Sequence, residues 1–287
     1  KSEWVDDNSR RFFNNCYRTH LLQIMMKVGT ILHNTDDVAA FQQELNIAQE
    51  AVHKKWFNPE DTTYANGEQP YLILPLKTGI TPKPLRNAVF ERYLETLMEK
   101  DQGHLNTGMI GTQLMTDYLL ETDRNDLVDS YVSKKTYPGW GYMVENGATT
   151  CWEQWNGYFS QIHSCFPYIG GWFYRGLAGI NWDQDSPGFR NVILRPGLVP
   201  SVEWVECSYD SPYGEIISSW SIENGIFNWD IRVPPNSTAT VYVPGASISE
   251  SGKVAADAEG VSFFKEVDDC SIFSVESGKY SFSSVLK

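Results

Sequence analysis

Apolar residues recur at spacings of three and four up to about residue 180, a period typical of helices that pack by one face. The stripes are Phe13, Tyr17, Leu21, Ile24, Val28 and Ile31; Phe41, Leu45, Ala48 and Val52; Leu85, Val89, Tyr93 and Leu97; Ile110, Leu114, Leu119 and Leu120; Leu127, Tyr131 and Val132; and Phe166, Ile169, Phe173 and Leu177. Thr35 stands where the second helix should be N-capped, before the acidic Asp36 and Asp37. The pattern predicts six helices.

The period changes to two from about Asn191, where short alternating runs are broken by Pro, Gly and Asn. This alternation predicts an antiparallel β-sandwich. The segment NWDQDSPGF (181–189) is the expected linker, so we predict a helical domain over 1–185 and a sandwich over 186–287. The turns of the sandwich carry no polar and aromatic cluster comparable to that of residues 136–157, and we expect this domain to be a structural module.

Long and short connections alternate between the predicted helices. Loops 58–81, 101–109 and 136–162 are long, whereas 33–36 and 122–126 are short. Helical hairpins stacked in order would place the long loops on one rim, where functional sites are common. Six helices are also too few to close a ring of twelve, so the array is expected to be part of a larger one.

Charge and composition narrow the range of partners. The formal net charge is −13, and no basic cluster is present, which argues against nucleic acid and anionic membranes and favours neutral ligands. No apolar run approaches the roughly 20 residues of a membrane span, and the polar N-terminal KSEWVDDNSRR lacks a signal-peptide core. The 5 cysteines form no CxxC pair, so neither a zinc site nor a disulfide framework is predicted, and the compartment stays open.

Segment 136–157, TYPGWGYMVENGATTCWEQWNG, carries the candidate chemistry. It combines Trp140, Trp152 and Trp155 with Glu145 and Glu153. Indole rings can stack on the apolar faces of sugars and exclude water from a neighbouring carboxylate. A carboxylate beside such a wall is what glycoside hydrolysis requires.

The same residues have plain structural interpretations. Glu153 could hydrogen-bond main-chain amides and hold the loop, and the local sequence alone favours that role. Glu145 is expected to be a solvated acid, and His163 and His104 to be packed or loop-bracing histidines. Each Trp, taken alone, is more often a core residue than a sugar platform.

The run YPGWGYMVENGATTCWEQWNG resembles the bacterial α-L-rhamnosidases of glycoside hydrolase family 78. Further stretches agree in order: GHLNTGMIGTQLM, SQIH, GGWFYRGLAGI, PGFRNVILRP, SYDSPYGEIISSW and VPPNSTATVYVP, with looser similarity at Gln69 and LPLKTGITP. The resemblance implies part of an (α/α)6 barrel of the six-hairpin glycosidase type followed by a β-sandwich, and hydrolysis with inversion. No cofactor or metal is implied.

By the same resemblance, Glu153 is the general base, and His163, Trp140 and Trp152 contact the sugar. The Gly-Ala-Thr-Thr segment before Glu153 should supply donors that keep it charged. The family's general acid has no counterpart here, so we expect a C-terminal piece whose partner is the N-terminal remainder of the same enzyme, acting on a rhamnose-containing saccharide or glycoside.

Two alternatives stay open. A non-catalytic carbohydrate-binding protein would use the same Trp residues without an acid. An (α/α)6 polysaccharide lyase would need Tyr, His, Arg or a metal beside a uronate carboxylate, and residues 136–163 contain no Arg.

Overall fold

The computed structural model describes residues 6–286, so the first five residues of the polar N-terminal segment and Lys287 lie outside the described residues. Its α-helices are α1 (Asp7–Ile31), α2 (Thr35–Trp56), α3 (Gln69–Lys77), α4 (Arg86–Glu95), α5 (Met109–Glu121), α6 (Asn125–Val132), α7 (Trp140–Glu145) and α8 (Ile169–Trp172). Short π-helical turns extend α4 over Thr96–Lys100 and α8 over Phe173–Leu177. No helix among residues 6–286 is long and apolar enough to cross a membrane.

The β-strands are β1 (Phe57–Asn58), β2 (Thr63–Tyr64), β3 (Ile180–Trp182), β4 (Asn191–Leu194), β5 (Trp204–Ser211), β6 (Gly214–Glu223), β7 (Ile226–Val233), β8 (Thr238–Pro244), β9 (Ala246–Glu250), β10 (Lys253–Val254), β11 (Val261–Val267), β12 (Cys270–Val275) and β13 (Gly278–Val285). Strands β1 and β2 form a small hairpin. The predicted order, helices followed by a β-sandwich, is confirmed.

Side-chain caps set the starts of the first two helices. The Asp6 carboxylate accepts from Ser9 N at 2.9 Å and caps α1. Asn34 caps α2, with Oδ1 accepting from Asp37 N at 3.4 Å. The prediction of Thr35 as the N-cap was therefore wrong by one residue. The Asn34 side chain accepts from the main-chain N–H of Asp37, which has no partner within the helix, and Thr35 is the first helical residue.

Helix α1 packs by a face different from the predicted one. Its buried residues are Ser9, Phe12, Cys16, Thr19, Leu22 and Gly29. A Cβ at Gly29 would lie 2.8 Å from Val38 Cγ2, so the glycine allows a close approach of α2 at that point. The long stripe predicted to be packed is exposed within the described chain: Tyr17, Leu21, Ile24, Val28 and Ile31. Helix α1 therefore has an exposed apolar face within the described chain.

Helix α3 lies inside the segment predicted to be loop 58–81. Every residue from Gln69 to Leu76 is buried, so the helix has no polar face and its sequence shows no amphipathic period. Pro70 suits the first turn, and Pro75 stands inside the helix, which further obscures the signal. Burial on all sides explains why the sequence pattern missed this element.

The C-terminal strands form two sheets around one core. One sheet has the order β10-β9-β13-β7-β6-β5, the other β11-β12-β8-β4-β3. Alternate side chains from both sheets, such as Trp220, Phe227, Val241 and Phe282, fill the space between them. Pairing is antiparallel except between β4 and β8, which run parallel, so the predicted antiparallel sandwich contains one parallel pair.

The chain divides into two compact units. The first comprises the described residues up to Leu119 together with Ser130–Pro167, and the second Leu120–Asp129 together with the described residues from Tyr168. The linker near 181–189 includes part of β3 and the bend that follows it. The domain boundary at 185/186 stays a prediction.

Candidate active site

Residues 150–163 fold as a hairpin, called here the Glu153 hairpin. Glu153 N donates to Ser160 O at 2.9 Å, and His163 N donates to Cys151 O at 3.0 Å. The Thr150 hydroxyl donates to Gln161 O. These bonds pair the two arms antiparallel and leave residues 154–159 as the tip, so Glu153 and His163 lie on opposite arms of one small motif.

The Glu153 carboxylate is half-buried and held by one oxygen. Its Oε2 accepts from Ser160 N at 3.2 Å, while Oε1 makes no hydrogen bond among residues 6–286. The expected donor was the Gly-Ala-Thr-Thr segment, but the Thr150 hydroxyl is used on Gln161 O instead. The register of the hairpin therefore assigns the donor role to Ser160. The carboxylate is oriented and retains one oxygen able to accept from water.

Cys165 contacts the other candidate residue, His163. Its Sγ lies 3.0 Å from His163 Nδ1. Burial raises the pKa of the Cys165 thiol, and the negative charge of Glu153 raises it further. A protonated thiol can donate to Nδ1, an arrangement that puts the imidazole proton on Nε2. In that tautomer the exposed His163 ring has an N–H available for a ligand.

The three Trp residues of the loop support the hairpin. Trp140, on α7, donates from Nε1 to Phe166 O at 3.1 Å and meets Trp155 edge-on, with centroids 5.1 Å apart. Trp155 stacks on Phe166 at 3.9 Å. Trp152 packs beneath Gly157, where a Cβ would lie 3.1 Å from the indole ring. Trp140 and Trp152 are only 8% and 7% exposed within the described chain. Their contact with a sugar stays a prediction.

The most exposed rings of the hairpin were not singled out from the sequence. Tyr158 and Phe159, at the tip, are 62% and 66% exposed, and their centroids lie 4.4 Å apart in an edge-to-face arrangement. The usable signal is the Asn156-Gly157 turn dipeptide directly before two aromatic residues. In the structure the two rings that follow this turn lie exposed at the tip.

A buried amide on α3 fastens the predicted rim loop 101–109, and His104 links that loop onward to the loop 136–162. Gln69 is fully buried, and its Nε2 donates to Asp101 Oδ2 at 2.8 Å and to His104 O at 2.7 Å. The His104 ring bridges onward, with Nδ1 2.9 Å from Pro138 O and Nε2 3.1 Å from Thr136 Oγ1. His104 therefore braces loops, one of the two roles the sequence left open. The segment that precedes α7 is held in place by this network.

Replacing Gln69 by Leu is expected to destabilise the protein by about 2 kcal/mol, because the partly buried polar groups of Asp101, His104 and Asn106 lose the fully buried Gln69 amide as their partner. Chemical denaturation monitored by fluorescence measures the change. The matched control is Gln43→Leu on the exposed side of α2, where stability should change by less than about 0.5 kcal/mol. Equal stability of the two variants would exclude the bracing role.

Glu145 differs from Glu153 in its exposure and in its partner. It is exposed at the end of α7 and forms a surface ion pair with Lys135 at 3.0 Å. This agrees with the expectation of a solvated acid. Among residues 6–286, no group of three His, Cys, Asp or Glu side chains is arranged to hold a metal ion. Glu153 is thus the carboxylate of the hairpin with an ordered, half-buried setting.

Comparison with family models assigns both halves of the chain. Residues 2–177 match the bacterial alpha-L-rhamnosidase 6 hairpin glycosidase domain, and residues 179–256 match the bacterial alpha-L-rhamnosidase C-terminal domain. An alpha-L-rhamnosidase of Alteromonas sp. (strain LOR) is 28% identical over 98% of this chain. The chain spans 30% of that protein's length.

Solved structures give the same result. The alpha-L-rhamnosidase from Dictyoglumus thermophilum aligns with a TM-score of 0.85 and 28% identity, covering 94% of this chain and 31% of that one. The Streptomyces avermitilis alpha-L-rhamnosidase complexed with L-rhamnose aligns with a TM-score of 0.82 and 26% identity, covering 94% of this chain and 26% of that one. The chain therefore corresponds to less than a third of each of these proteins.

Proposed function

We propose, on the premise that the chain belongs to the bacterial α-L-rhamnosidase six-hairpin glycosidase family, that it carries the general base of an inverting α-L-rhamnosidase. The observation that supports this role is the Glu153 carboxylate, which is oriented by Ser160 N through one oxygen and has no hydrogen bond on the other among residues 6–286. The substrate is a terminal L-rhamnose on a glycoside or polysaccharide.

Glu153 would act on a water molecule held by Oε1. As the water oxygen bonds to the anomeric carbon, Glu153 takes its proton, and the glycosidic C–O bond breaks on the opposite face. The leaving oxygen must receive a proton from a second carboxylic acid, about 6.5–9.5 Å from the first in inverting enzymes. We assign that acid to another segment of the longer protein.

His163, Trp140 and Trp152 would bind the sugar. The His163 Nε2–H can donate to a hydroxyl, while the indoles form the apolar wall beside the carboxylate. The net charge of −13 suits a neutral saccharide. The exposed apolar face of α1 supports a second part of the proposal, that the N-terminal remainder of the enzyme packs against this chain.

Hydrolysis of an aryl α-L-rhamnoside by the full-length protein tests the proposal. NMR of the first product formed should show the inverted β-anomer of L-rhamnose, with no turnover of the matching aryl α-D-mannoside. Retained configuration would exclude Glu153 as a general base in an inverting reaction. Tight binding of L-rhamnose without turnover would instead support the non-catalytic binding protein.

Trp152→Ala is expected to weaken L-rhamnose binding by about 1 kcal/mol, roughly fivefold in Kd, because the sugar loses a stacking or packing partner. Calorimetry on the full-length protein measures this. Trp204→Ala is the control, since Trp204 is an exposed indole on β5 of the sandwich. If the folded Trp152 variant binds L-rhamnose with unchanged affinity, Trp152 supports the hairpin and does not contact the sugar.

A further inference from the structure

The Cys165 thiol, two residues after the Glu153 hairpin, contacts the His163 imidazole. Its Sγ lies 3.0 Å from His163 Nδ1, whereas Nε2 of the same ring makes no hydrogen bond among residues 6–286. We propose that Cys165 is a positioning residue of the sugar site. Its S–H would fix the orientation and the tautomer of the His163 ring, so that Nε2–H is directed to a hydroxyl oxygen of the terminal sugar. This inference rests on the proposed rhamnosidase function.

Both residues of this contact lie on anchored main chain. His163 N donates to Cys151 O at 3.0 Å, which places His163 in the ladder of the hairpin. Cys165 directly precedes Phe166, whose side chain is buried and whose carbonyl accepts from Trp140 Nε1 at 3.1 Å. The sulfur therefore comes from a segment fastened to the protein interior. From that position it can restrain an imidazole that is itself exposed.

The protonation state of the thiol sets the direction of this hydrogen bond. Burial raises the pKa of Cys165 and the negative charge of Glu153 raises it further, so the sulfur keeps its proton. A neutral imidazole has one accepting and one donating nitrogen. When S–H donates to Nδ1, the ring proton therefore lies on Nε2. The reverse bond, from Nδ1–H to sulfur, would leave the proton of a partly buried thiol without this acceptor.

A fixed ring improves binding because an exposed imidazole otherwise rotates freely and exchanges its proton between the two nitrogens. A ring that is already held in the binding conformation loses less freedom when the sugar binds. The sulfur occupies Nδ1 and leaves Nε2 open, so Cys165 acts through His163 without touching the ligand. Loss of the thiol should therefore weaken sugar binding even though no sugar contact is removed.

Infrared spectroscopy of the full-length protein tests the hydrogen bond itself, because the S–H stretching band lies in a region free of other protein bands. The difference spectrum between the wild type and Cys165→Ala isolates the band of this thiol. In His163→Ala the band should move to higher frequency, since the thiol loses its acceptor. A band that stays in place would show that the thiol does not donate to the imidazole, and would overturn the inference. No ligand is needed, so this outcome does not depend on the proposed function.

Calorimetry with L-rhamnose on the full-length protein tests the effect on binding. Cys165→Ala should raise the Kd about threefold to tenfold, whereas Cys165→Ser, which keeps a donor, should stay within about twofold of the wild type. In a His163→Ala background, Cys165→Ala should have no further effect, because the two side chains act as one unit. Cys207→Ala is the matched control, since Cys207 is a partly buried thiol on β5 of the sandwich, and its Kd should equal that of the wild type.

Three results of the binding experiment would overturn the positioning role. They are wild-type affinity in Cys165→Ala, equal weakening by the Ser and Ala variants, and additive losses from Cys165→Ala and His163→Ala. Additive losses are expected if the cysteine only packs in the fold. Absence of L-rhamnose binding by the wild type would instead mark failure of the proposed function.

Discussion

Glu153→Gln should lower kcat of the full-length protein on an aryl α-L-rhamnoside by roughly 10²–10⁴-fold. Glutamine preserves the shape of the side chain but cannot take a proton from water. Substrate affinity should change little, because the other sugar contacts remain. The bond from Ser160 N to Oε2 can also be kept if the amide oxygen occupies that position. A loss confined to kcat therefore separates a general base from a residue that holds the loop.

The control is Glu145→Gln, which removes a carboxylate from the same loop where it only pairs with Lys135 on the surface. Its kcat should stay within about twofold of the wild type. Azide gives a second readout, because a small anionic nucleophile needs no base. Glu153→Ala should regain activity with azide and form the inverted glycosyl azide. Near-normal turnover by the Gln variant, or no azide product, would contradict the assignment.

Hydrophobic periodicity predicted helices followed by a β-sandwich, because most helices here have one packed face and the strands alternate. It failed where that premise does not hold. Helix α3 is buried on all sides and has no polar face for a period to reveal. On α1 the helix was predicted, but the packed face was not. The buried face carries only two large apolar side chains, Phe12 and Leu22, among smaller residues, whereas the exposed face carries the longer apolar stripe. A hydrophobic pattern marks the face with more large apolar residues, whether or not that face is packed within this chain.

The candidate site also has features that the sequence predicted and features that it did not. The residue types of segment 136–157 pointed to Glu153 and the Trp residues, and the family resemblance supplied His163 and the roles of Glu153, Trp140 and Trp152. The donor to Glu153 is Ser160, seven residues away, and its position depends on the register of the hairpin. The exposed Tyr158–Phe159 pair also depends on where the chain turns. Contacts set by register cannot be obtained from residue spacing alone.

Charged substitutions on the exposed apolar face of α1 are expected to lower the thermal stability of the full-length protein. Leu21 and Val28 are 45% and 40% exposed and lie two turns apart on one side of the helix. If the N-terminal remainder packs there, Leu21→Asp/Val28→Asp would bury two carboxylates without partners, at a cost of several kcal/mol. We expect Tm of the full-length protein to fall by at least about 5 °C, measured by calorimetry.

Ala39→Asp/Gln43→Asp on α2 is the control, because it adds the same charge at exposed positions of the neighbouring helix. Its Tm should stay within about 2 °C of the wild type, since isolated surface substitutions change stability little. The comparison removes the contribution of net charge, already −13 in this chain. If both double variants behave alike, the α1 face is open to solvent in the longer protein. The second carboxylic acid of the reaction would then have to come from a segment that does not cover α1.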